Sequence, residues 1–255
     1  MKAITPLAKS DLESPIHYQV TITVRMTRIS LLLPLFSFLL ANAVAQSPAP
    51  MNRINLDNGW TVQTSRKVWA TGDAISTPKF QTKGWYRTSV PMTVLAVQVA
   101  AGEFPKPYYG MNLRKIPGTA AYEIGETFAD KPIPDDSPYA ASWWYRTEFP
   151  TPPNHRHVAL HFDGINNRAN VWLNGKKIAD AKVVAGAYRT FEFDITPELA
   201  KAGRNVLAVE VFAQTQNDLG INWADWNPTP PDKNMGLWQD VYLTTMVRSR
   251  SVTRR

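Results

Sequence analysis

The stretch A-N-V-W-L-N-G-K-K-I, residues 169–178, contains a complete strand-turn-strand signal. Ala169, Val171 and Leu173 are apolar at every second position, which is the period of a β-strand with one buried face. The dipeptide Asn174-Gly175 follows, and Asn-Gly favours the tight turn of a two-residue hairpin. We therefore predict a β-hairpin here, and with it a sheet whose neighbouring strands run antiparallel.

The same alternation continues on both sides of this hairpin. The apolar positions are Val158, Leu160 and Phe162 upstream, and Phe191, Phe193, Ile195, Leu207, Val209, Val211, Val241 and Leu243 downstream. Helix is minor: residues 93–101, before Gly102, are the main candidate, and residues 197–202, before Gly203, form a shorter one. The pattern predicts an all-β, antiparallel sandwich with one or two short helices.

Two long segments lack strand patterning, namely residues 104–136 and 214–236. Ordered loops of this length inside a compact domain are more often functional than incidental. We therefore look for binding residues there.

The net charge of +7 does not indicate a nucleic-acid partner. The basic surplus lies in residues 1–45 and in the arginines of residues 248–255, and the rest of the chain is nearly neutral. A nearly neutral body lacks the positive surface that binds phosphates.

Several other classes are excluded by residue content. The chain has no cysteine, so disulfides, thiolate metal sites and cysteine nucleophiles are ruled out. It also lacks a P-loop, a dinucleotide glycine motif, a His-Glu-x-x-His zinc motif and a Gly-x-Ser-x-Gly element. We identify no cofactor and no calcium ligand set in the sequence.

Residues 26–45 have the features of a signal peptide. A short basic start at Met26 and Arg28 precedes an apolar run, and Ala43-Val44-Ala45 provides a small-residue cleavage site. The apolar run is too short to span a bilayer and contains Pro34. We expect a secreted or periplasmic protein without a membrane anchor after cleavage, an over-extended N-terminus at 1–25 and a linker at 46–51.

Histidines and carboxylates are the first candidates for chemistry. His155, His157 and His161 share strand parity but lie opposite the predicted apolar face, so we interpret them as solvent-facing rather than as metal ligands. Glycoside hydrolysis needs two carboxylates at a fixed separation. The loop candidates are Glu103, Glu123, Glu126, Asp135, Asp136 and Asp225, whereas Glu148, Glu192 and Glu210 fall on polar strand faces. We predict no self-contained catalytic pair.

Aromatic residues are the remaining signal. The residues in or beside loops are Trp85, Tyr86, Tyr108, Tyr109, Trp143, Trp144, Trp223 and Trp226. Most such rings fill a core, but an aromatic face can also cover a sugar ring while a carboxylate binds its hydroxyls. Asp225, between Trp223 and Trp226 in a proline-stiffened loop, fits that second role.

Six sequence pieces in order resemble the N-terminal, galactose-binding-like jelly-roll domain of glycoside hydrolase family 2. They are W-W-Y-R-T-E-F (143–149), F-D-G-I-N (162–166), V-W-L-N-G (171–175), F-E-F-D-I-T (191–196), N-x-L-A-V-E-V (205–211) and G-L-W-Q-D-V-Y-L (236–243). The resemblance covers about residues 52–245, which it implies form one jelly-roll domain.

Within that family, Y-Y-G-M-N-L-R-K-I-P-G (108–118) and D-W-N-P-T-P-P-D-K-N-M-G-L-W (225–238) resemble exo-β-D-glucosaminidases, and β-mannosidases are next. The β-mannosidase motif G-W-D-W-G-P keeps its Asp, Trp and Pro here, and the residues on both sides of the Asp-Trp pair are replaced by Ala224 and Asn227. We interpret residues 223–233 as a sugar-facing wall, and the resemblance implies that Asp225, Trp226 and Trp223 line a sugar subsite there, with Asn112 as a further contact. It also implies that glucosamine-type or mannose-type glycans are the partners.

The family places its catalytic acid and nucleophile in a (β/α)₈ barrel that the resemblance does not cover. We therefore expect an accessory domain without catalytic residues. The tail 246–255 is rich in arginine and serine, and synonymous codons for residues 246–253 can be chosen so that a shifted frame reads G-P-V-A-L-R-H-P. This sequence resembles the family's continuation, so we interpret the chain as a frameshifted gene fragment. Two alternatives stay open, a free-standing carbohydrate-binding module and a protein-interaction sandwich, and the latter requires an exposed apolar patch.

Overall fold

A computed structural model describes residues 51–119, 132–153, 155–201, 203–221 and 229–247. The predicted leader, the residues before it, the linker up to residue 50 and tail residues 248–255 lie outside these ranges. The strands are β1 (Met51–Asn55), β2 (Trp60–Thr64), β3 (Tyr86–Thr88), β4 (Met92–Thr93), β5 (Trp143–Pro150), β6 (His155–Phe162), β7 (Ile165–Asn166), β8 (Arg168–Leu173), β9 (Lys176–Ala179), β10 (Phe191–Asp194), β11 (Arg204–Phe212), β12 (Gly236–Leu237) and β13 (Val241–Val247). The helices are α1 (Gly72–Ile75) and α2 (Val94–Ala100), and 3₁₀ turns occupy Ser65–Lys67, Asn112–Lys115 and Thr196–Glu198.

The described strands form three antiparallel sheets. The orders are β1-β13-β6-β10, β3-β2-β5-β11-β8-β9 and β4-β12-β7. Strands adjacent in a sheet are mostly not consecutive in sequence, as in a jelly-roll sandwich. The predicted all-β class is therefore confirmed.

The predicted apolar faces form the core. Val158, Leu160 and Phe162 of β6 are fully buried, and they belong to the same apolar cluster as Leu207, Val209 and Val211 of β11. The β8–β9 hairpin is confirmed as well. Its turn residues Asn174 and Gly175 have φ angles of 51° and 87°, the left-handed pair that an Asn-Gly turn supplies.

One strand face departs from the prediction. Ala208 of β11 lies on the face expected to be polar, yet it is fully buried. The reason is a second apolar cluster, in which Ile75 of α1 packs on Trp144 and Ala208. Arg146 fixes this cover, because its guanidinium donates to the carbonyls of Ile75 at 2.9 Å and Thr77 at 3.0 Å. The segment containing α1 therefore covers the outer face of the six-stranded sheet.

The helix predictions are partly confirmed. Helix α2 occupies seven of the nine predicted residues, begins after Thr93, whose hydroxyl accepts from the Ala96 amide, and is followed by Gly102 with φ +79°. The second candidate, a shorter turn at 197–202, corresponds in the described residues to a 3₁₀ turn at Thr196–Glu198. Helix α1 was not predicted. Within the described ranges, no helix combines the length and hydropathy needed to cross a membrane.

Candidate functional site

The predicted sugar-binding residues Trp223, Asp225 and Trp226 fall in residues 222–228, which lie outside the described residues. The structure does describe both flanks of this segment. Gly220 precedes it and is buried, and Thr229 follows it and is 7% exposed. The geometry of these flanks shows how the fold holds the ends of the candidate wall.

Two adjacent asparagines hold the flanks from the end of β7. Asn166 donates its side-chain amide to the carbonyls of Lys233, at 2.7 Å, and Asn234, at 2.9 Å. Asn167 donates its own to the carbonyl of Leu219 at 3.1 Å. One dipeptide therefore binds the chain before and after residues 222–228, and we call Asn166 and Asn167 the asparagine clamp.

The clamp residues are buried, at 0% and 1% exposure. A buried side-chain amide that donates to a carbonyl is a satisfied group that would otherwise be costly to desolvate. Within the described ranges, the Oδ1 atoms of both clamp residues accept no hydrogen bond.

Asp232 anchors the second flank to α2. Its carboxylate accepts hydrogen bonds from the backbone amides of Leu95, at 2.9 Å, and Asn234, at 3.0 Å. The amide of Val94 donates to the carbonyl of Met235 at 2.8 Å. The backbone amides in the first turn of α2 thus find their hydrogen-bond acceptors in a loop more than 130 residues further along the chain.

Burial is the dominant influence on Asp232. The side chain is almost completely inaccessible, and desolvation raises its pKa to about 6, although hydrogen bonds from the Leu95 and Asn234 amides oppose the rise. Burial likewise raises the pKa of Tyr145, and the negative charge of Asp232 adds to that effect. The hydroxyl of Tyr145 donates to the Met92 carbonyl at 2.9 Å. This flank is therefore a structural support.

That result corrects part of the predicted wall. The sequence interpretation extended the sugar-facing surface from Trp223 to Lys233, but Asp232 and Lys233 are 1% and 2% exposed. Residues 229–233 are consequently packed against the domain, with Pro230 half-buried, and within the wall a sugar-facing role remains a prediction only for 223–228.

The first flank carries exposed apolar groups. Leu219 is 86% exposed, and its carbonyl also accepts from the Ala187 amide at 3.1 Å. Tyr188 is 70% exposed and packs edge-on against Trp238, whose indole donates to the Ala187 carbonyl at 3.0 Å. Arg168 lies 3.2 Å from Asp218 across this flank.

Asn112 lies in the 3₁₀ turn of the other long loop. Its amide donates to the Lys106 carbonyl at 3.1 Å, so this hydrogen bond serves its own loop. Tyr108 and Tyr109 in the same loop are 99% and 79% exposed.

The other aromatic candidates, Trp85, Tyr86, Trp143 and Trp144, pack in or against the two apolar clusters. Trp143 and Tyr145 belong to the main core, and Tyr86 packs against it and stacks on Trp143 at 6.5 Å. Trp144 and Trp85 belong to the cluster under α1. These rings are structural.

The strand carboxylates occupy polar positions as predicted. Glu148 lies between the guanidinium groups of Arg146, at 2.8 Å, and Arg204, at 3.0 Å. Glu210 accepts from the Ser142 hydroxyl and the Asn170 amide. The loop candidate Glu103 accepts from Tyr86 and Gln98, whereas Glu123 and Glu126 lie outside the described residues.

The histidines do not meet at a metal site. His161 is less exposed than His157, because it stacks on Tyr242 at 4.6 Å and bonds to the Thr244 hydroxyl at 2.8 Å. His157 lies 3.3 Å from Asp194. Among the described residues, no group of three or more His, Asp or Glu side chains could hold a metal ion.

The clamp and Asp232 were missed by sequence reasoning. In the sequence, Asn166 stands out only as part of a family motif, and Asp232 only as part of a proline-rich loop. An Asn-Asn pair directly after an apolar strand was the one available signal, and it is weak because such pairs are also common in exposed turns.

Comparison with known proteins gives a consistent family. Residues 136–222 match the family model described as "Glycosyl hydrolase 2 galactose-binding domain-like". The exo-β-D-glucosaminidase of Streptomyces avermitilis is 35% identical over 72% of this chain and 18% of its own length. The mannosylglycoprotein endo-β-mannosidase of Lilium longiflorum is 28% identical over 76% of this chain and 21% of its own.

Solved structures agree. The exo-chitosanase of Amycolatopsis orientalis superposes with a TM-score of 0.64 at 33% identity, over 75% of this chain and 20% of that protein. The chain thus spans about a fifth of the length of the relatives it matches. It contains the galactose-binding-like N-terminal domain of glycoside hydrolase family 2.

Proposed function

We propose that this chain is the accessory domain of an exo-β-D-glucosaminidase-like hydrolase, and that it supplies one wall of a sugar subsite rather than the catalytic carboxylates. The asparagine clamp carries the proposal. Because Asn166 and Asn167 fix both flanks of residues 222–228, the fold presents this segment from a rigid base. In this proposal Asp225 binds sugar hydroxyls, Trp226 and Trp223 cover the ring, and Asn112 is a second contact.

The relatives support the choice of substrate. Two of them are named exo-β-D-glucosaminidase and exo-chitosanase, so glucosamine oligosaccharides are the substrate class we assign to the parent enzyme. Mannose-type glycans are the runner-up, because a mannosidase also matches. The acid and the nucleophile would come from a separate domain, in keeping with the polar-face roles of Glu148 and Glu210.

A chimera tests the wall directly. Residues 52–245 would replace the matched region of the Amycolatopsis orientalis exo-chitosanase, and activity would be measured on a nitrophenyl glucosaminide. We expect the chimera to be active and Asp225→Asn to lower kcat/KM about 10- to 100-fold, the loss of a charge-assisted hydrogen bond. Asp136→Asn, at an exposed loop position, is the matched control. Equal effects of the two substitutions would refute the role of Asp225.

We also propose that the chain is a secreted or periplasmic fragment of such an enzyme. The leader-like residues 26–45 support export, and the one-fifth coverage of the relatives supports a fragment. For export, mass spectrometry of the exported protein should give an N-terminus at Gln46. For the fragment, resequencing the locus should find barrel sequence downstream in a shifted frame. A mature N-terminus before Met26, or the lack of such sequence in every frame, would contradict these two points.

The second candidate function is a free-standing carbohydrate-binding module. It requires a site that holds sugar without another domain, whereas half of a shared subsite would bind little alone. One feature of the described chain favours it, a cleft away from the asparagine clamp.

A further inference from the structure

The outer face of the six-stranded sheet carries a cleft of about 460 Å³. Residues 65–73 form one side, and outward-facing side chains of β5, β11, β8 and β9 form the other. The lining residues are Ser65, Val68, Ala70, Thr71, Gly72, Asp73, Trp144, Asn170, Trp172, Lys177 and Glu210. None of these belongs to the asparagine clamp or to the flanks it holds.

Two tryptophans line this cleft, and a third lies next to lining residues in the sequence. Trp144 and Trp172 line it, and Trp69 lies between the lining residues Val68 and Ala70 while being 97% exposed. A tryptophan left entirely in water forgoes the large apolar gain of burial. Trp69 is the only tryptophan among the described residues that is so exposed, and its place in the segment that forms one side of the cleft suits an aromatic platform for a sugar ring.

The base of the cleft holds an oriented carboxylate. Glu210 accepts from the Ser142 hydroxyl at 2.9 Å and from the Asn170 amide at 3.0 Å, which fixes the direction of its side chain. The carbonyl oxygen of the Asn170 side chain is in turn engaged by the Ala181 amide at 3.1 Å. The group is thus preorganised, as a ligand-binding carboxylate must be.

The charge balance of the lining is negative. Asp73 and Glu210 are the carboxylates, and Lys177 is the single cation, with its ammonium 4.7 Å above the Trp172 ring. The hydroxyl of Thr71 lowers the pKa of Asp73, so this group stays ionised at neutral pH. A cationic amino sugar therefore suits the cleft better than its neutral N-acetyl form.

Local packing sets the shape of one rim. Gly72 lies directly on the indole of Trp172, and a Cβ at this position would be 2.6 Å from the ring atom Cδ1. The absence of a side chain lets residues 71–73 lie close to β8 while Trp69 stays outside.

We propose that this cleft is a second carbohydrate-binding site, one that takes glucosamine oligosaccharides through Trp69, Glu210 and Asp73 without help from another domain. The choice of sugar rests on the proposed function, whereas the location of the site does not. Such a site would hold the domain on polymeric substrate while the subsite at residues 222–228 serves the reaction.

Titration calorimetry of the full chain tests this proposal with two probes, the glucosamine tetramer and the N-acetylglucosamine tetramer. We expect the glucosamine tetramer to bind with a Kd of about 1 mM at low salt, as for a shallow site with few contacts. Binding should weaken as salt increases, because charge contributes. The acetylated tetramer should bind several-fold more weakly.

Variants locate the binding. Trp69→Ala should weaken binding of the glucosamine tetramer at least about tenfold, the equivalent of one lost stacking contact. Because Trp69 is 97% exposed, this variant should fold normally, which circular dichroism would check. Glu210→Gln should remove most of the preference for the cationic tetramer.

Two controls separate this site from the subsite of the proposed function. Tyr188→Ala removes another exposed aromatic ring, and Asp225→Asn alters the candidate wall, and both should leave the titration unchanged. The proposal would be overturned if no heat of binding were detected up to about 10 mM probe, which is about ten times the expected Kd. So would a loss of binding in Asp225→Asn that Trp69→Ala does not share. In the chimera, Trp69→Ala should leave kcat on the small glucosaminide unchanged, so each proposal can fail alone.

Discussion

Gly236→Ala is expected to destabilise the domain by more than about 4 kcal/mol, a large part of the free energy of unfolding of an ordinary domain. Gly236 lies on β12, between Thr93 of β4 and Asn166 of β7, with φ +140°. A Cβ there would be 3.0 Å from the Cα of Thr93 and 3.1 Å from the Met92 carbonyl oxygen, and closer still to the Tyr145 hydroxyl. Backbone atoms on a paired strand cannot move aside, so strain and overpacking add.

Gly84→Ala is the matched control for this result. Gly84 also has a positive φ, +78°, but a Cβ there would meet nothing within 4 Å. Its alanine variant carries backbone strain alone and should lose only about 1 kcal/mol. Urea unfolding of both variants, or soluble yield where Gly236→Ala does not fold, measures the difference. If Gly236→Ala were as stable as Gly84→Ala, the tight packing at β12 would be disproved.

Asp232 is expected to make the domain more stable in mild acid than at neutral pH. Its pKa is about 6 in the folded protein, against 3.8 for an unperturbed aspartate side chain, so the folded state holds the proton more tightly. Between these two values the unfolded chain loses the proton first, and stability falls as pH rises through the window. The fall from this group amounts to about 2 kcal/mol between pH 4 and pH 7.

Asp232→Asn should abolish that slope, because an amide does not titrate in this range. Urea unfolding of both proteins at pH 4, 5, 6 and 7 gives the difference curve. Asp194→Asn is a control of opposite sign: the Thr196 hydroxyl and amide lower the pKa of Asp194, so its contribution is lost as pH falls. Asp232→Ala, which leaves the Leu95 and Asn234 amides unpaired, should cost about 2–4 kcal/mol. Parallel curves for wild type and Asp232→Asn would refute the role of this carboxylate.

Local patterns predicted the fold well where each strand has one buried face. The alternation in β6 and β8 and the Asn174-Gly175 turn depend on neighbouring residues, which sequence reveals. The burial of Ala208 depends on α1, which lies more than 130 residues upstream. The periodicity of β11 therefore gives no sign that Ala208 is buried. The short helix itself begins at Gly72, a residue that disfavours helix.

The site was harder to predict for a related reason. In sequence, P-P-D-K-N looks like a solvated turn, because charged residues beside prolines are usually exposed. The burial of Asp232 depends on α2, which lies far from it in sequence. The Asp232 carboxylate accepts a hydrogen bond from the Leu95 amide in the first turn of that helix. The clamp likewise joins Asn166 to residues 67 and 68 positions away. Such partners appear only when the chain is folded.

The asparagine clamp has a consequence for how this domain can change over time. Because both ends of the 222–228 segment are tied to Asn166 and Asn167, residues inside the segment can be exchanged with little penalty to the sandwich. Under the proposed function, sugar preference and thermal stability could therefore be selected separately, and exchanging these seven positions would be a way to alter specificity in related hydrolases.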